Sequence, residues 1–217
     1  MAEPVVLALD TASTVSVGVA RGGRALGVAH HEDRMAHVEQ LMPLLRDLLR
    51  DLEVRLVEVS SIVVGLGPGP FTGLRVGVAT ARVLASVAAV PLHGVCSLDV
   101  IAAQHARQAT EEFLVATDAR RQEVYWARYA ADGRRLDAPA VGRPETLPPG
   151  PVVGPATLLY PDRLAAVPGP TMLDAGEMAV RGPDLPFAGT EPLYLRRPDA
   201  AEPARRKRVL LNRGSGT

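Results

Sequence analysis

Between residues 65 and 75 the chain reads Gly65-Leu66-Gly67-Pro68-Gly69-Pro70-Phe71-Thr72-Gly73-Leu74-Arg75, and few backbone paths accommodate that order. Proline fixes φ and removes a donor, while glycine permits left-handed backbone and close approach, so the alternation dictates a tight, rigid turn. Residues 59–66 before it form an apolar run that reads as a strand. Residues 73–89 after it read as a helix capped by Thr72 and rich in small side chains, among them Gly77, Ala79, Ala81 and Ala85. Strand, turn and helix in that order predict an α/β fold. The helix N-terminus could hold an anion through its free N–H groups, or the turn could simply seat the helix. The segment lacks the Gly-Lys-Ser/Thr of a P-loop and the glycine spacing of a dinucleotide fingerprint.

Upstream, residues 5–9 and 15–20 are short apolar runs joined by the turn Asp10-Thr11-Ala12-Ser13-Thr14, and residues 25–29 return after Gly22-Gly23, which predicts a three-stranded meander. From Met35 to Leu52, apolar residues at Val38, Leu41, Met42, Leu45, Leu48, Leu49 and Leu52 have helical spacing, with Arg46, Asp47, Arg50 and Asp51 opposite. Pro43 predicts a kink or the start of the regular part. Residues 91–96 read as a strand, followed by a helix capped by Ser97 and running to about Arg107. Residues 113–117 and 124–129 read as strands around Asp118-Ala119-Arg120-Arg121-Gln122. Fourteen of the 19 prolines follow residue 138, which predicts short elements there. The expected organisation is an N-terminal lobe over residues 1–108, a smaller and looser α+β lobe over 109–203, and a mobile basic tail over 204–217 that holds Arg205-Arg206-Lys207-Arg208.

Composition removes several chemistries. The 24 Lys+Arg balance 24 Asp+Glu, so nucleic-acid or membrane binding would need a local patch. Lys207 is the only lysine, which leaves no core Schiff-base or phosphate-reaching lysine. Cys96 is the only cysteine, which excludes an internal disulfide and fits a reducing cytoplasm. The N-terminus does not read as a secretory signal, and residues 83–92, the longest apolar stretch, are too short to span a bilayer.

A meander opened by Asp10-Thr11-Ala12-Ser13, then a long helix and strand-turn-helix units, is the organisation of one ribonuclease H-like lobe of the actin-like and sugar-kinase-like ATPases. In that fold the first turn offers groups to a nucleotide phosphate, which makes Asp10, Thr11 and Ser13 candidates, although such a turn can equally just close a hairpin. The blocks Val6-Leu7-Ala8-Leu9-Asp10-Thr11-Ala12-Ser13, Gly67 to Gly77, Ser97-Leu98-Asp99, Asp118-Ala119-Arg120-Arg121 with Glu123-Val124-Tyr125, and Pro192-Leu193-Tyr194-Leu195-Arg196 together resemble the TsaB (YeaZ) family. The resemblance runs from about residue 5 to 200. Pro70 stands where the family usually has serine, and Gln122 where it usually has glycine.

The resemblance implies a non-catalytic partner subunit in the formation of threonylcarbamoyladenosine beside the anticodon of tRNA. It would support a catalytic paralogue of the same fold, TsaD, together with a small ATPase, TsaE, and would pair as a homodimer when alone. Contact with tRNA would be indirect, through the complex. The paralogue's metal-binding His-x-x-x-His corresponds here to Ser97 and Ile101, which are not useful ligands, and no metal site is expected. His31-Glu32-Asp33-Arg34-Met35 starts like a zincin but ends in methionine, and His30, His37 and His105 make no ligand pair. No Gly-x-Ser-x-Gly elbow exists, and no residue receives a catalytic role. No cofactor is expected, binding of ATP or ADP being doubtful with a single phosphate turn. A bundle of two helices from each subunit, also implied by the resemblance, makes Val38, Leu41, Leu45, Leu74, Val78 and Ala81 the expected partner surface; burial of both helices inside the domain is the competing reading. The alternative function is an ATP-dependent phosphotransferase or ATPase of the sugar-kinase type, and the metallopeptidase label sometimes given to the superfamily is opposed by the ligand positions. Arg120, Arg121, Arg128, Arg134 and Arg135 either form a phosphate patch or are ordinary solvated turns.

Overall fold

A computed structural model describes residues 3–31 and 37–196, with the side chains of 37 and 38 excepted. The basic tail, the zincin-like stretch, the expected helix start at Met35 and the side chain of Val38 lie outside the described residues.

The meander forms as expected: β1 (Val5–Asp10), β2 (Val15–Arg21) and β3 (Arg24–His31). Helix α1 (His37–Asp51) follows, then β4 (Val59–Gly65), α2 (Phe71–Ala88), β5 (Leu92–Val95) and α3 (Ser97–His105). These strands make a five-stranded sheet ordered β3-β2-β1-β4-β5. The β1–β2 and β2–β3 pairs are antiparallel, and β1–β4 and β4–β5 are parallel. That order is the ribonuclease H-like lobe of an actin-like ATPase fold. A second sheet, ordered β8-β7-β6-β9, holds β6 (Phe113–Asp118), β7 (Val124–Tyr129), β8 (Ala140–Gly142) and β9 (Val152–Val153). Short helices α4 (Ala156–Leu159) and α5 (Ala175–Arg181) follow β9.

Strand alternation explains the layers. Leu7 and Leu9 of β1 face α1 and α2, burying Leu41, Leu45 and Leu48 of the first helix and Val78, Ala81 and Leu84 of the second. Ala8 and Val63 face the other way, into a cluster with Leu98 and Ile101 of α3, Phe113 and Val115 of β6, and Ala175 and Met178 of α5. This second cluster joins the two sheets. The boundary expected at 108/109 separates the sheets, yet α5 crosses back to pack on β1, β2 and β3. Gly18 makes the return feasible, because a methyl there would lie 2.2 Å from the Ala175 carbonyl carbon.

Two expected helix caps are corrected, and Pro43 does not mark a helix start. Helix α2 starts at Phe71 after Pro70, so Thr72 lies inside the first turn and caps nothing. Cys96 holds the cap position of α3, and Ser97 is the first helical residue with its hydroxyl directed elsewhere. Pro43 lies within α1, six residues after its start. Helix α2, at 18 residues and a mean hydropathy of 1.2, is long and apolar enough to cross a membrane, which the shorter run at 83–92 did not suggest. Its inner face packs on β4 in the core.

Candidate functional site

The C-terminal end of β1 places Asp10 in the interior, 1% exposed. Its carboxylate accepts from the Ala12 amide at 2.8 Å and from the Ser97 hydroxyl at 2.5 Å. Ser97 Oγ in turn accepts from the Gly67 amide at 3.1 Å, and the Ser97 amide donates to the Gly67 carbonyl at 2.8 Å. Gly65 leaves the room for this, since a methyl there would stand 1.8 Å from Asp10 Oδ2. Burial pushes the Asp10 carboxyl up to about 6, with the Ser97 and Ala12 hydrogen bonds opposing.

The turn after β1 is seated on the start of α2 by a column of glycines. Thr11 donates its hydroxyl to the Gly73 carbonyl at 2.8 Å. A methyl at Gly69 would stand 2.5 Å from the Ala12 carbonyl oxygen, one at Gly73 2.7 Å from that of Thr11, and one at Gly77 2.2 Å from Thr11 Oγ1. The distinctive glycine spacing is therefore a close contact between turn and helix. Of the candidate phosphate residues, Asp10 and Thr11 are buried and engaged within the protein, while Ser13 reaches the surface.

Ser13 borders a small pocket with Ala12, Pro70, Asp118 and Arg120. Beside it lies a cleft of about 190 Å3, walled by residues 69–71, 119–121, Tyr125 and residues 194–196. Four of the five resemblance blocks thus line one place, and the fifth is bonded to two of them through Ser97, which meets Asp10 and Gly67. In the β6–β7 turn Arg120, Arg121 and Gln122 all adopt left-handed backbone, at φ 63°, 53° and 59°. Gln122 therefore carries a side chain where glycine would be unstrained. Pro70 fits its place, with φ −61° and extended ψ just before α2.

The expected partner residues Leu41, Leu45, Leu74, Val78 and Ala81 are all buried in the chain's own core, between 0% and 2% exposed. Leu41, Leu45, Val78 and Ala81 face the first sheet because β1, β2 and β4 offer a continuous apolar surface, and no side chain spent there is free to meet another subunit. The outer faces of the same helices leave Met42 49%, Val83 61% and Val87 71% exposed. Met42, Ala79, Thr80, Val83 and Leu84 line a hollow of about 260 Å3 between α1 and α2.

Ser97 and Ile101 are buried in the interlobe core, and isoleucine has no donor atom; no group of three or more His, Cys, Asp or Glu residues suited to a metal occurs among the described residues. Asp99 accepts from Tyr129 Oη at 2.8 Å and from Arg135 Nη1 at 3.0 and 3.2 Å, which ties α3 to the second sheet. Burial pushes the Asp99 carboxyl up, and Arg135 draws it back. Arg135 is thereby a structural partner. Arg128 bonds Asp137 at 2.9 Å at the surface, while Arg120 and Arg121 line the cleft. Spacing signals for Asp99–Arg135 do not exist, as the pair is 36 residues apart.

Comparison with known proteins agrees with this geometry. A family model described as TsaD, tRNA N6-adenosine threonylcarbamoyltransferase, matches residues 23–147. An uncharacterized protein of Mycobacterium leprae is 42% identical over 208 residues, covering 90% of this chain and 56% of its own. The tRNA threonylcarbamoyladenosine biosynthesis protein TsaB of Escherichia coli is 35% identical over 146 residues, covering 64% of this chain and 63% of its own. The chain thus spans less than two thirds of the length of these two relatives. The solved structure of YeaZ from Pseudomonas aeruginosa superimposes with a TM-score of 0.73 at 28% identity, over 88% of this chain and 100% of that one.

Proposed function

The chain belongs to the TsaB (YeaZ) family, and from that premise we propose that it is a non-catalytic partner subunit in threonylcarbamoyladenosine formation on tRNA, docking a TsaD-type paralogue on the outer faces of α1 and α2. The observation that carries the reading is the apolar hollow at Met42, Ala79 and Val83, continued by Val87. Contiguous apolar exposure of this kind is the mark of an interface core. Its polar rim is supplied by α1, where Arg46, Asp47, Arg50 and Asp51 bond among themselves. A partner of the same fold presents an equivalent helix pair, so two such pairs close into a four-helix contact. A second copy of this chain would use the same face when the paralogue is absent.

Support for a non-catalytic role comes from the donor set. The Ser97 hydroxyl is engaged with Asp10 and Gly67, and Ile101 offers nothing to a metal. Asp10 and Thr11 act as latches within the fold rather than as nucleotide ligands, so the chain works without ATP or ADP of its own. TsaE-type ATPase and tRNA join through the complex, in the cytoplasm. The deciding experiment is co-purification of the chain with a TsaD-type protein from the native cell, wild type against Val83→Glu. Loss of the partner with retained circular dichroism supports the docking face; an undiminished complex removes it.

A further inference from the structure

After α5 and a short 3-10 turn, residues 185–196 run as a strap along the edge of β5 and across the start of α2. The strap is anchored at each step. His93 Nε2 meets the Leu185 carbonyl at 3.1 Å, the Ala188 amide donates to Gly94 at 2.8 Å, and the Leu193 amide donates to Leu66 at 2.7 Å. Arg82 donates to the Thr190 carbonyl at 2.6 Å and pairs with Glu191. Tyr194 stacks on Phe71 with ring centres 4.0 Å apart, accepts from Arg75 Nε at 3.2 Å, and the Arg75 guanidinium lies 4.2 Å from the Phe71 ring centre.

Beyond Tyr194 the strap crosses to the other lobe. Arg196 donates to the Ala119 carbonyl at 2.7 Å and forms an ion pair with Glu123. These two acceptors bracket Arg120, Arg121 and Gln122, the run of left-handed residues. Within the turn, Ala119 N bonds the Glu123 carbonyl, Glu123 N bonds the Arg120 carbonyl, and Arg120 N bonds Asp118 Oδ1. Consecutive left-handed residues with side chains are disfavoured against ordinary turn backbone, so a turn built from them relaxes unless its ends are held. The guanidinium fork holds both ends at once.

We infer that Arg196 is a positioning residue, clamping the β6–β7 turn in its left-handed path and so fixing where Arg120 and Arg121 stand at the mouth of the interlobe cleft. The strap makes the clamp a tie between lobes, because its preceding residues are fastened to α2 through Arg75 and Arg82. The turn's conformation is therefore set by the position of α2 as well as by its own sequence. This inference does not depend on which partner the protein docks.

Amide exchange by nuclear magnetic resonance on the full chain tests it, since the amides of Arg120 and Glu123 report the turn directly. Arg196→Ala is expected to raise their exchange about tenfold, as befits loss of a charge-assisted anchor, with the amides of β1 and β4 unchanged. Arg196→Lys, which reaches one acceptor at a time, gives an intermediate rise. Adding Gln122→Gly to Arg196→Ala removes one strained side chain and recovers most of the protection. Unchanged turn amides in Arg196→Ala would overturn the inference. So would an equal rise throughout both sheets, which is general loosening, or a double variant no better protected than the single.

Discussion

Ser97 Oγ donates to Asp10 Oδ2 at 2.5 Å, joining the first residue of α3 to the last of β1 across 87 positions of sequence. The bond lies at the C-terminal ends of β1 and β5, where β1 turns back into β2 and β5 leads into α3, so it holds the floor beneath the glycine-rich segment. The Asp10 carboxylate that it engages is buried.

Stability should carry a signature of Asp10. Its carboxyl titrates near 6 instead of an ordinary 3.8, because burial disfavours the charge. A raised folded value means that the folded state holds the proton more tightly. The resulting stabilisation is complete below about pH 4, is lost as pH rises through 6, and amounts to about 3 kcal/mol at most. Asp10→Asn abolishes it. Urea titrations from pH 4 to 7.5 should show the variant gaining on the wild type as pH rises; parallel curves would refute the assignment.

Inner and outer faces of α1 and α2 should respond differently to charge. Leu45→Glu and Ala81→Arg place an unpaired charge in the core and are expected to unfold the protein, as both positions are at most 2% exposed. Met42→Glu and Val83→Glu lie on the exposed face and should change stability by no more than about 0.5 kcal/mol while abolishing association. Circular dichroism beside analytical ultracentrifugation separates the two classes.

Gly77→Ala should destabilise by about 1–3 kcal/mol, since the new methyl meets Thr11 Oγ1 at 2.2 Å in a packed junction. Thr11→Ala should be costly alone, through loss of its bond to Gly73. Combined, the two are expected to cost less than their sum, a coupling that a double-mutant cycle in denaturant reads directly. Additive values would mean that helix and turn are not in contact.

Removing Arg135 should expose how much Asp99 depends on it. Arg135→Leu leaves a carboxylate 5% exposed with Tyr129 and Cys96 as its remaining hydrogen-bond partners and should cost about 3 kcal/mol, as expected for breaking a buried ion pair. Tyr129→Phe should cost about 1 kcal/mol. Thermal unfolding of both variants tests the order; an Arg135 variant as stable as wild type would place the pair's role elsewhere.

Much of the first lobe was legible because its signals are local. Alternating β-branched residues and Gly22-Gly23 define the meander, and Gly67 to Gly77 marks the strand-to-helix passage. What failed was the allocation of faces. The apolar positions of α1 divide between Leu41, Leu45 and Leu48 inside and Met42 outside, a division decided by the strands beneath and invisible to periodicity alone. The return of α5 to the first sheet was likewise hidden, because it depends on Gly18 accepting Ala175 from a distant part of the chain. Thr72 and Ser97 both looked like caps; one lies within the helix, and the other has its hydroxyl committed to Asp10.

The glycine column that seats Thr11 and Ala12 against α2 has a mechanical consequence. With no side chain on the helix side of the contact to act as a cushion, turn and helix are expected to move together. Helix α2, at 18 residues, is about 27 Å long, with the turn at one end and Val83 and Val87 toward the other. It is a lever: a tilt of a few degrees at Thr11 becomes a displacement of an ångström or more at the far end, and a push on that end returns to the root of the first strand.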